Sequence, residues 1–289
     1  MDSANSIDNP QGSWEDAVAW LRAQPGSEEL VRAAYFDDPA DAACERYWHS
    51  NEWEAVRALI GRGPGAALDV GAGRGIASYA LARDGFAVTA LEPDPSPLVG
   101  ANAIRDIAAR NALDITVVDT LTQPLNFADA SFDVIFARAV LHHIPDLNQA
   151  MREFFRVLKP GGTLLAVREH VLSNDDDLPA FFDLHPLHHR YGGEMAYRLP
   201  VYVAAIETAG FRIEKLLGSL ESPINYGPQT RADLSRAIGR QLTKGVPGLS
   251  HLASATLQMP VIGDLMLKAA TRVDRRPGRH YSFLARRPQ

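Results

Sequence analysis

The sequence predicts an α/β protein built on a doubly wound, mostly parallel sheet. Two observations carry that expectation. Short apolar runs alternate with helical stretches five times over residues 66–168, and short strands joined through helices pair in parallel with right-handed crossovers. The first run also ends in a glycine-rich turn, at the sheet edge where open sheets of this kind bind ligands.

The elements follow in order. Residues 1 to about 12 are polar and acidic and read as disordered. Ser13 to about Ile60 reads as helical, broken at Pro25-Gly26 and Pro39. Trp14, Val18 and Leu21 share one helical face, and Trp53, Val56, Leu59 and Ile60 share another. Ala66–Val70 is a buried strand. Glycine-rich residues 71–75 lead into a helix at Ile76–Arg83, stopped by Asp84-Gly85. Further strands are expected at Phe86–Leu91, Ile115–Val118, Phe132–Ala137 and Thr163–Arg168. Helices are expected at Leu98–Arg110 and Leu147–Leu158, the second stopped by Lys159-Pro160-Gly161-Gly162. This arrangement brings Asp69, Gly71, Glu92, Asp119 and Arg138 to the carboxyl edge of the sheet.

After the fifth strand the rhythm breaks. Residues 169–199 read as irregular and rich in His and Asp. A helix at Val201–Ala209, a strand at Phe211–Leu217, two helices near 230–241 and 251–271 and a last strand at His280–Ala285 complete the chain. The expected organisation is a helical N-terminal cap over 1–60 and a core over 61–217 plus 280–289. Within that core, 169–199 is an active-site loop, and 218–279 is a helical insertion before the last strand. The insertion reads as a lid over a hydrophobic substrate or as a homodimer contact.

Composition narrows the partners. The 289 residues are 46% hydrophobic and 22% charged, ordinary values for a globular chain. There are 35 acidic against 29 basic residues, so a phosphate backbone is repelled and no nucleic acid is expected. Arg272, Arg275, Arg276, Arg279, Arg286 and Arg287 stand against Asp274 alone near the end, as a solvated charged tail or a patch for an anionic partner. The single cysteine, Cys44, allows no intrachain disulfide. The opening residues lack the basic and apolar parts of a signal peptide, and no apolar run approaches the ~20 residues that span a bilayer. A cytoplasmic protein without a membrane partner is expected.

The chemistry is concentrated in Leu68-Asp69-Val70-Gly71-Ala72-Gly73-Arg74-Gly75. Glycines after a buried strand permit a tight turn and close approach of a ligand, and the following helix offers its N-terminal amides. The dinucleotide fingerprint G-x-G-x-x-G would need its third glycine at position 76, which is Ile. A carboxylate at Asp69 suits a cationic or donating ligand such as the amino group of S-adenosylmethionine. Glu92 can accept both hydroxyls of a ribose, a role also served by an acid in NAD proteins. Asp119 can accept from an adenine amine or serve only as a turn residue.

These pieces together resemble the core of the class I S-adenosylmethionine-dependent methyltransferases. The matching segments are LDVGAGRG, the acid in ALEPD, the Asp in VVDT, SFDVIFARAVLHHIPD and RVLKPGGTL, within residues 66–168. The resemblance implies a seven-stranded sheet with an antiparallel last strand, for which FRIEKLL and RHYSFLARRP would be strands six and seven. It implies that Asp69, Gly71, Ala72, Gly73, Glu92 and Pro93 line the methionine and ribose of the cofactor. Asp119 and Thr120 would flank adenine, and Arg138 would lie near the methionine or the active-site floor. It also implies that aromatics of a preceding helix, Tyr47 and Trp48 in ERYWHSNEW, close over the cofactor, unless they pack as helix core. About 60 residues between the last two strands depart from the family's usual short connection.

Histidines supply the expected base, because their pKa suits removal of a proton from an acceptor. His142 and His143 follow the fourth strand, with His143 the candidate that also faces the cofactor. In the resembling family these loop histidines are often structural. Residues 181–194 hold His188 and His189 as preferred bases beside a substrate wall of Phe181, Phe182, His185 and Tyr191. The same His, Asp and Glu side chains suit a divalent ion, yet their spacing matches no standard ligand pattern, so no metal is assigned. The resulting expectation is an S-adenosylmethionine-dependent methyltransferase that methylates an oxygen of a natural product or sugar-like metabolite. A cofactor-binding regulator and an NAD-dependent oxidoreductase are the alternatives.

Overall fold

The computed structural model describes residues 12–120, 124–184, 187–192, 195–244 and 246–289. Of the residues 1 to about 12 that read as disordered, 1–11 fall outside the described residues, as do His185 and Glu194. Among the described residues eight strands form one sheet: β1 (Ala66–Val70), β2 (Ala87–Leu91), β3 (Ile115–Val118), β4 (Phe132–Arg138), β5 (Leu158–Leu172), β6 (Tyr197–Arg198), β7 (Arg212–Leu217) and β8 (Arg279–Arg286). The order is β3-β2-β1-β4-β5-β8-β7, with β6 beside the end of β5. Pairs among β1 to β5 are parallel, and β8 lies antiparallel between β5 and β7.

The doubly wound sheet is as the sequence predicts. Side chains alternate along each strand into two cores. Leu68, Val70, Ile135 and Ala137 pack with Met151, Phe154, Tyr202 and Ile206 of the helices Leu147–Val157 and Leu199–Thr208. Ala67, Val134 and Phe136 pack on the opposite face with Tyr47, Trp53, Val56 and Leu81. Helices on both faces explain why β1 and β4 read as nearly continuous apolar runs. From β1 the chain passes to β2 on one side and later to β4 on the other, and the crevice where strand order reverses is the natural ligand position.

Three local expectations change. The sheet has eight strands instead of seven, because Tyr197–Arg198 adds a two-residue parallel strand on Val171 and Leu172. Residues 169–199 are more regular than expected: β5 continues to Leu172, and helices follow at Leu178–Leu184 and His188–Tyr191. The long helix expected near 251–271 is split, because Pro260 has no amide to continue a helix begun at Pro247. The result is a hairpin of Pro247–Gln258 and Pro260–Val273, packed beside Arg231–Leu242.

The N-terminal segment forms helices Trp14–Ala23, Glu28–Ala33, Ala40–Trp48 and Asn51–Ile60. Ser13 and Asp16 cap the first reciprocally, and the Ser50 hydroxyl accepts from the Trp53 amide at 3.1 Å to start the last.

Candidate cofactor and acceptor site

A cavity of about 450 Å³ opens at the carboxyl ends of β1, β2 and β4. One wall is the turn after β1. Gly71, Gly73 and Gly75 have φ of 60°, 55° and 87°, left-handed values that favour glycine. A Cβ on Gly71 would meet Val140 at 2.7 Å, whereas one on Gly73 would meet nothing closer than 3.9 Å. The turn is held from beneath. Glu92 accepts from the Gly73 amide at 2.7 Å and from the Asp94 amide at 3.0 Å.

Two buried carboxyls face this cavity. Asp69 is 1% exposed and accepts from the Ser78 hydroxyl at 2.6 Å. Burial pushes its pKa up to about 7; the Ser78 bond opposes the shift and the neighbouring Glu92 charge adds to it. Burial likewise raises Glu92, against the two amides that lower it. A donating or cationic ligand would stabilise the ionised form of both.

The opposite wall is apolar. Trp14, Phe36, Ile144, Phe154 and Tyr191 line it, drawn from the first helix, a connecting loop, the loop after β4, the helix Leu147–Val157 and the helix His188–Tyr191. Trp14 is the hinge of this wall, with ring centroids 5.9 Å from Phe36 and 5.1 Å from Tyr191. Arg190 lies over Trp20 at 3.8 Å and fastens the short helix to the first one. Arg74 reaches out of the glycine turn to donate to the carbonyls of Tyr35 and Asp37, at 3.1 and 3.0 Å, on either side of Phe36.

Arg138 also lines the cavity, yet its charge is already engaged. It donates to both oxygens of Glu52, at 2.7 and 3.2 Å. Arg168 approaches the same carboxylate at 3.6 Å and donates to the carbonyls of Ile224 and Gly227. Burial alone would raise Glu52, but the two arginines hold it below the usual carboxylate range. Behind the other cavity-lining histidine loop lies Glu169. It accepts from the amides of Val140 and His142, and its Oε2 is 2.8 Å from His142 Nδ1. Burial pushes Glu169 up to about 7 against those amides. The His142 ring is 4.2 Å from that of His143, which lines the cavity.

The candidate residues therefore divide. Asp69, Gly71, Ala72, Gly73, Glu92, Pro93, Arg138, His143 and Tyr191 meet on one cavity. Thr120 lines a smaller pocket of about 220 Å³ that shares Leu91 and Leu125 with it. Asp119 is turned to solvent, 2.6 Å from Arg105. Tyr47 and Trp48 are away from the wall: Tyr47 is fully buried beside Tyr35 and Trp53, and Trp48 donates to Asp84 at 3.0 Å. Phe181 packs on His170, at 4.9 Å. His188 stacks flat on Phe182 at 3.7 Å, and exposed His189 lies 3.9 Å from Asp183. None of these four lines the cavity. Among the described residues no group of His, Cys, Asp and Glu is arranged to hold a metal. Sequence reasoning did not single out Phe36, Glu52, Arg74, Arg168 or Glu169 for the site. The Glu within ERYWHSNEW and the charged end of β5 were the available signals.

The family description "methyltransferase domain" matches residues 68–166, the stretch from β1 to β5. Residues 68–166 thus carry a methyltransferase domain of the class I S-adenosylmethionine-dependent kind. A 2-methyl-6-phytyl-1,4-hydroquinone methyltransferase of Synechocystis is 36% identical over 118 residues, 40% of this chain and 35% of that one. A demethylmenaquinone methyltransferase of Thermobifida fusca is 33% identical over 156 residues, 50% of this chain and 64% of that one. The chain thus spans less than two thirds of the length of either relative. The geranyl diphosphate C-methyltransferase of Streptomyces coelicolor shares the fold, with a TM-score of 0.57 over 94% of this chain and 97% of that one at 12% identity.

The residues present fit the family's cofactor, S-adenosylmethionine. Its ammonium and ribose hydroxyls match two buried carboxyls whose pKa values burial raises, and the open face of Gly73 leaves room for close approach. The expected family, fold and cofactor hold.

Proposed function

We propose that the protein methylates an oxygen of a small, largely apolar acceptor. The observation that carries this reading is the single cavity whose one wall is the glycine turn with Asp69 and Glu92 and whose other wall is Trp14, Phe36, Ile144, Phe154 and Tyr191. S-adenosylmethionine, when bound, supplies an electrophilic methyl on a sulfonium. Asp69, Glu92 and the Gly71–Gly73 backbone hold and orient it, and the aromatic wall excludes water and fixes the acceptor for in-line attack. The names of the two relatives, a phytyl-substituted hydroquinone and a demethylated menaquinone as substrates, support an apolar acceptor.

His143 is the base in this reading, in place of His188 and His189, because it alone of the three lines the cavity. It takes the acceptor hydroxyl proton at a ring nitrogen. Glu169 behind it fixes the loop through the Val140 and His142 amides and the His142 ring, which packs on His143.

The test is calorimetric titration with S-adenosylmethionine, its demethylated product and NAD, followed by methyl-label transfer onto a panel of alkyl-substituted phenols and hydroquinols. Micromolar binding of the first two, and label on oxygen that is lost in His143→Ala but kept in His189→Ala, is the expected result. Binding of NAD instead, or cofactor binding with no transfer to any acceptor, would sink the reading and favour a regulatory binder.

A further inference from the structure

The insertion between β7 and β8 is built inside out. The helix Pro260–Val273 buries only Gly263, Leu267 and Thr271, a narrow stripe at every fourth residue. Val261, Ile262, Leu265 and Val273 lie outside that stripe, with Val261 72%, Leu265 65% and Val273 74% exposed. The preceding helix repeats the arrangement: it buries Ser254 and Leu257 and exposes Leu249 and Leu252, the latter at 66%. Met259 at the turn, and Val246 and Leu242 before the hairpin, extend the apolar surface. Scattered surface leucines are ordinary, whereas this many on one hairpin form a patch that calls for a partner.

The hairpin is a rigid presenter of this face. A Cβ on Gly263 would lie 2.1 Å from the Leu257 carbonyl, so the two helices touch backbone to backbone. Arg231 donates to the same carbonyl at 3.0 Å and pairs with Asp264, locking the turn to the helix Arg231–Leu242.

Charge selects the partner. Residues 218–279 hold nine Lys and Arg against four Asp and Glu, a net of +5 in a chain whose total is −6. The remainder therefore carries −11. Arg240, Lys244, Lys268, Arg272 and Arg275 are exposed around the apolar residues. A second copy meeting this face about a two-fold axis would oppose the same cations to themselves. An anionic bilayer surface answers both features, taking the apolar side chains into the headgroup boundary and the cations at the phosphates.

We propose that the hairpin 247–273 docks the protein on anionic lipid surfaces. No helix among the described residues is long and apolar enough to cross a membrane, so the contact is peripheral. This departs from the sequence expectation of no membrane partner, and the apolar residues then serve as a surface anchor in place of a lid. The proposal stands apart from the methyl-transfer reading, since cofactor binding is its control.

The test is co-sedimentation of the full chain with vesicles of phosphatidylcholine alone and of phosphatidylcholine with phosphatidylglycerol at about 2:1. The wild type is expected to bind the anionic vesicles at least about tenfold more tightly, with salt weakening the difference. Leu252→Glu/Leu265→Glu, at two exposed positions, is expected to lose that binding while keeping its melting temperature and its affinity for S-adenosylmethionine. Wild type that ignores anionic vesicles, or binding that the double variant retains, would overturn the proposal. Sedimentation as a dimer that the double variant disperses, without vesicle binding, would overturn it in favour of a second copy.

Discussion

Arg74 Nη2 lies 3.0 Å from Asp38 Oδ1, so the glycine turn of the cofactor site and the N-terminal cap share one ion pair. Arg22 of the first helix pairs with the other oxygen of that carboxylate. The glycine turn and the segment that carries Phe36 are thereby tied together, and in the proposed reading an acceptor that displaces Phe36 is expected to strain the turn.

Arg74→Ala removes the donor from the Tyr35 and Asp37 carbonyls and leaves Asp38 with Arg22 alone. A loss of about 2–4 kcal/mol in urea unfolding is expected, with weaker cofactor binding in the same samples. Asp38 adds an acid-side effect. Burial raises its pKa, but Arg22 and Arg74 outweigh that and hold it below the ordinary value. Its contribution is thus present above about pH 4 and lost as pH falls through the depressed value. Asp38→Asn is expected to remove that part of the acid sensitivity.

Cofactor affinity is expected to depend on Asp69. Its carboxyl titrates near 7 before a cation arrives, so binding at lower pH must expel a proton. Affinity is predicted to fall by up to about tenfold per pH unit below 7, and Asp69→Asn to bind weakly with no such slope. Calorimetry in buffers of different ionisation enthalpy reads the proton directly; release of none at pH 6 would contradict the assignment.

Gly71→Ala adds a Cβ 2.7 Å from Val140 at a residue with φ of 60°. The turn must shift, and loss of cofactor binding with a folded circular-dichroism spectrum is the expected outcome. Gly73→Ala meets no atom closer than 3.9 Å in the protein, so its loss should show in ligand affinity more than in melting temperature.

Glu52→Ala strips the carboxylate from between Arg138 and Arg168. Removing one partner of a buried pair leaves an uncompensated charge, and a destabilisation of about 3–5 kcal/mol is expected in denaturant titration. Glu52→Gln should recover part of it by keeping an acceptor for Arg138.

Glu169 gives the ligand-free protein a falling stability curve on the neutral side. Its folded pKa, pushed up to about 7, exceeds the usual glutamate value, so the folded state holds the proton more tightly. Its contribution is full below about pH 4.3 and declines as pH rises to 7, by up to about 1.4 kcal/mol per unit. Asp69 adds a parallel slope that cofactor binding cancels. Thermal melts of Glu169→Gln between pH 5 and 8 should show a flatter profile than the parent.

The part of the candidate site around the glycine turn was legible because its signals are local. A strand, three glycines and an acid at the next strand end lie within 27 residues, and their spacing alone places them on one edge. The apolar part of the cavity lining was not, because long-range packing assembles it. Arg138 meets Glu52 across 86 residues, and the neighbours of Phe36 are held by Arg74 from 39 and 37 residues away. That His188 and His189 lie off the cavity could not be read from the sequence for a related reason. A four-residue helix is too short for a readable period, and it presents Tyr191 to the cavity while His188 stacks on Phe182. The insertion was legible as helical and apolar, but which of its apolar residues are exposed was not.

The place of β8 has a consequence for the order of assembly. It lies between β5 and β7, and the Thr163–Arg286 pairing closes a separation of 123 residues. Both neighbouring strands, and the apolar hairpin between them and β8, leave the ribosome before the strand that joins them. Until then β5 shows an open edge and the hairpin shows its leucines, so this is the interval in which the nascent chain is most exposed to aggregation, and closure of the sheet is the slow, non-local step of folding.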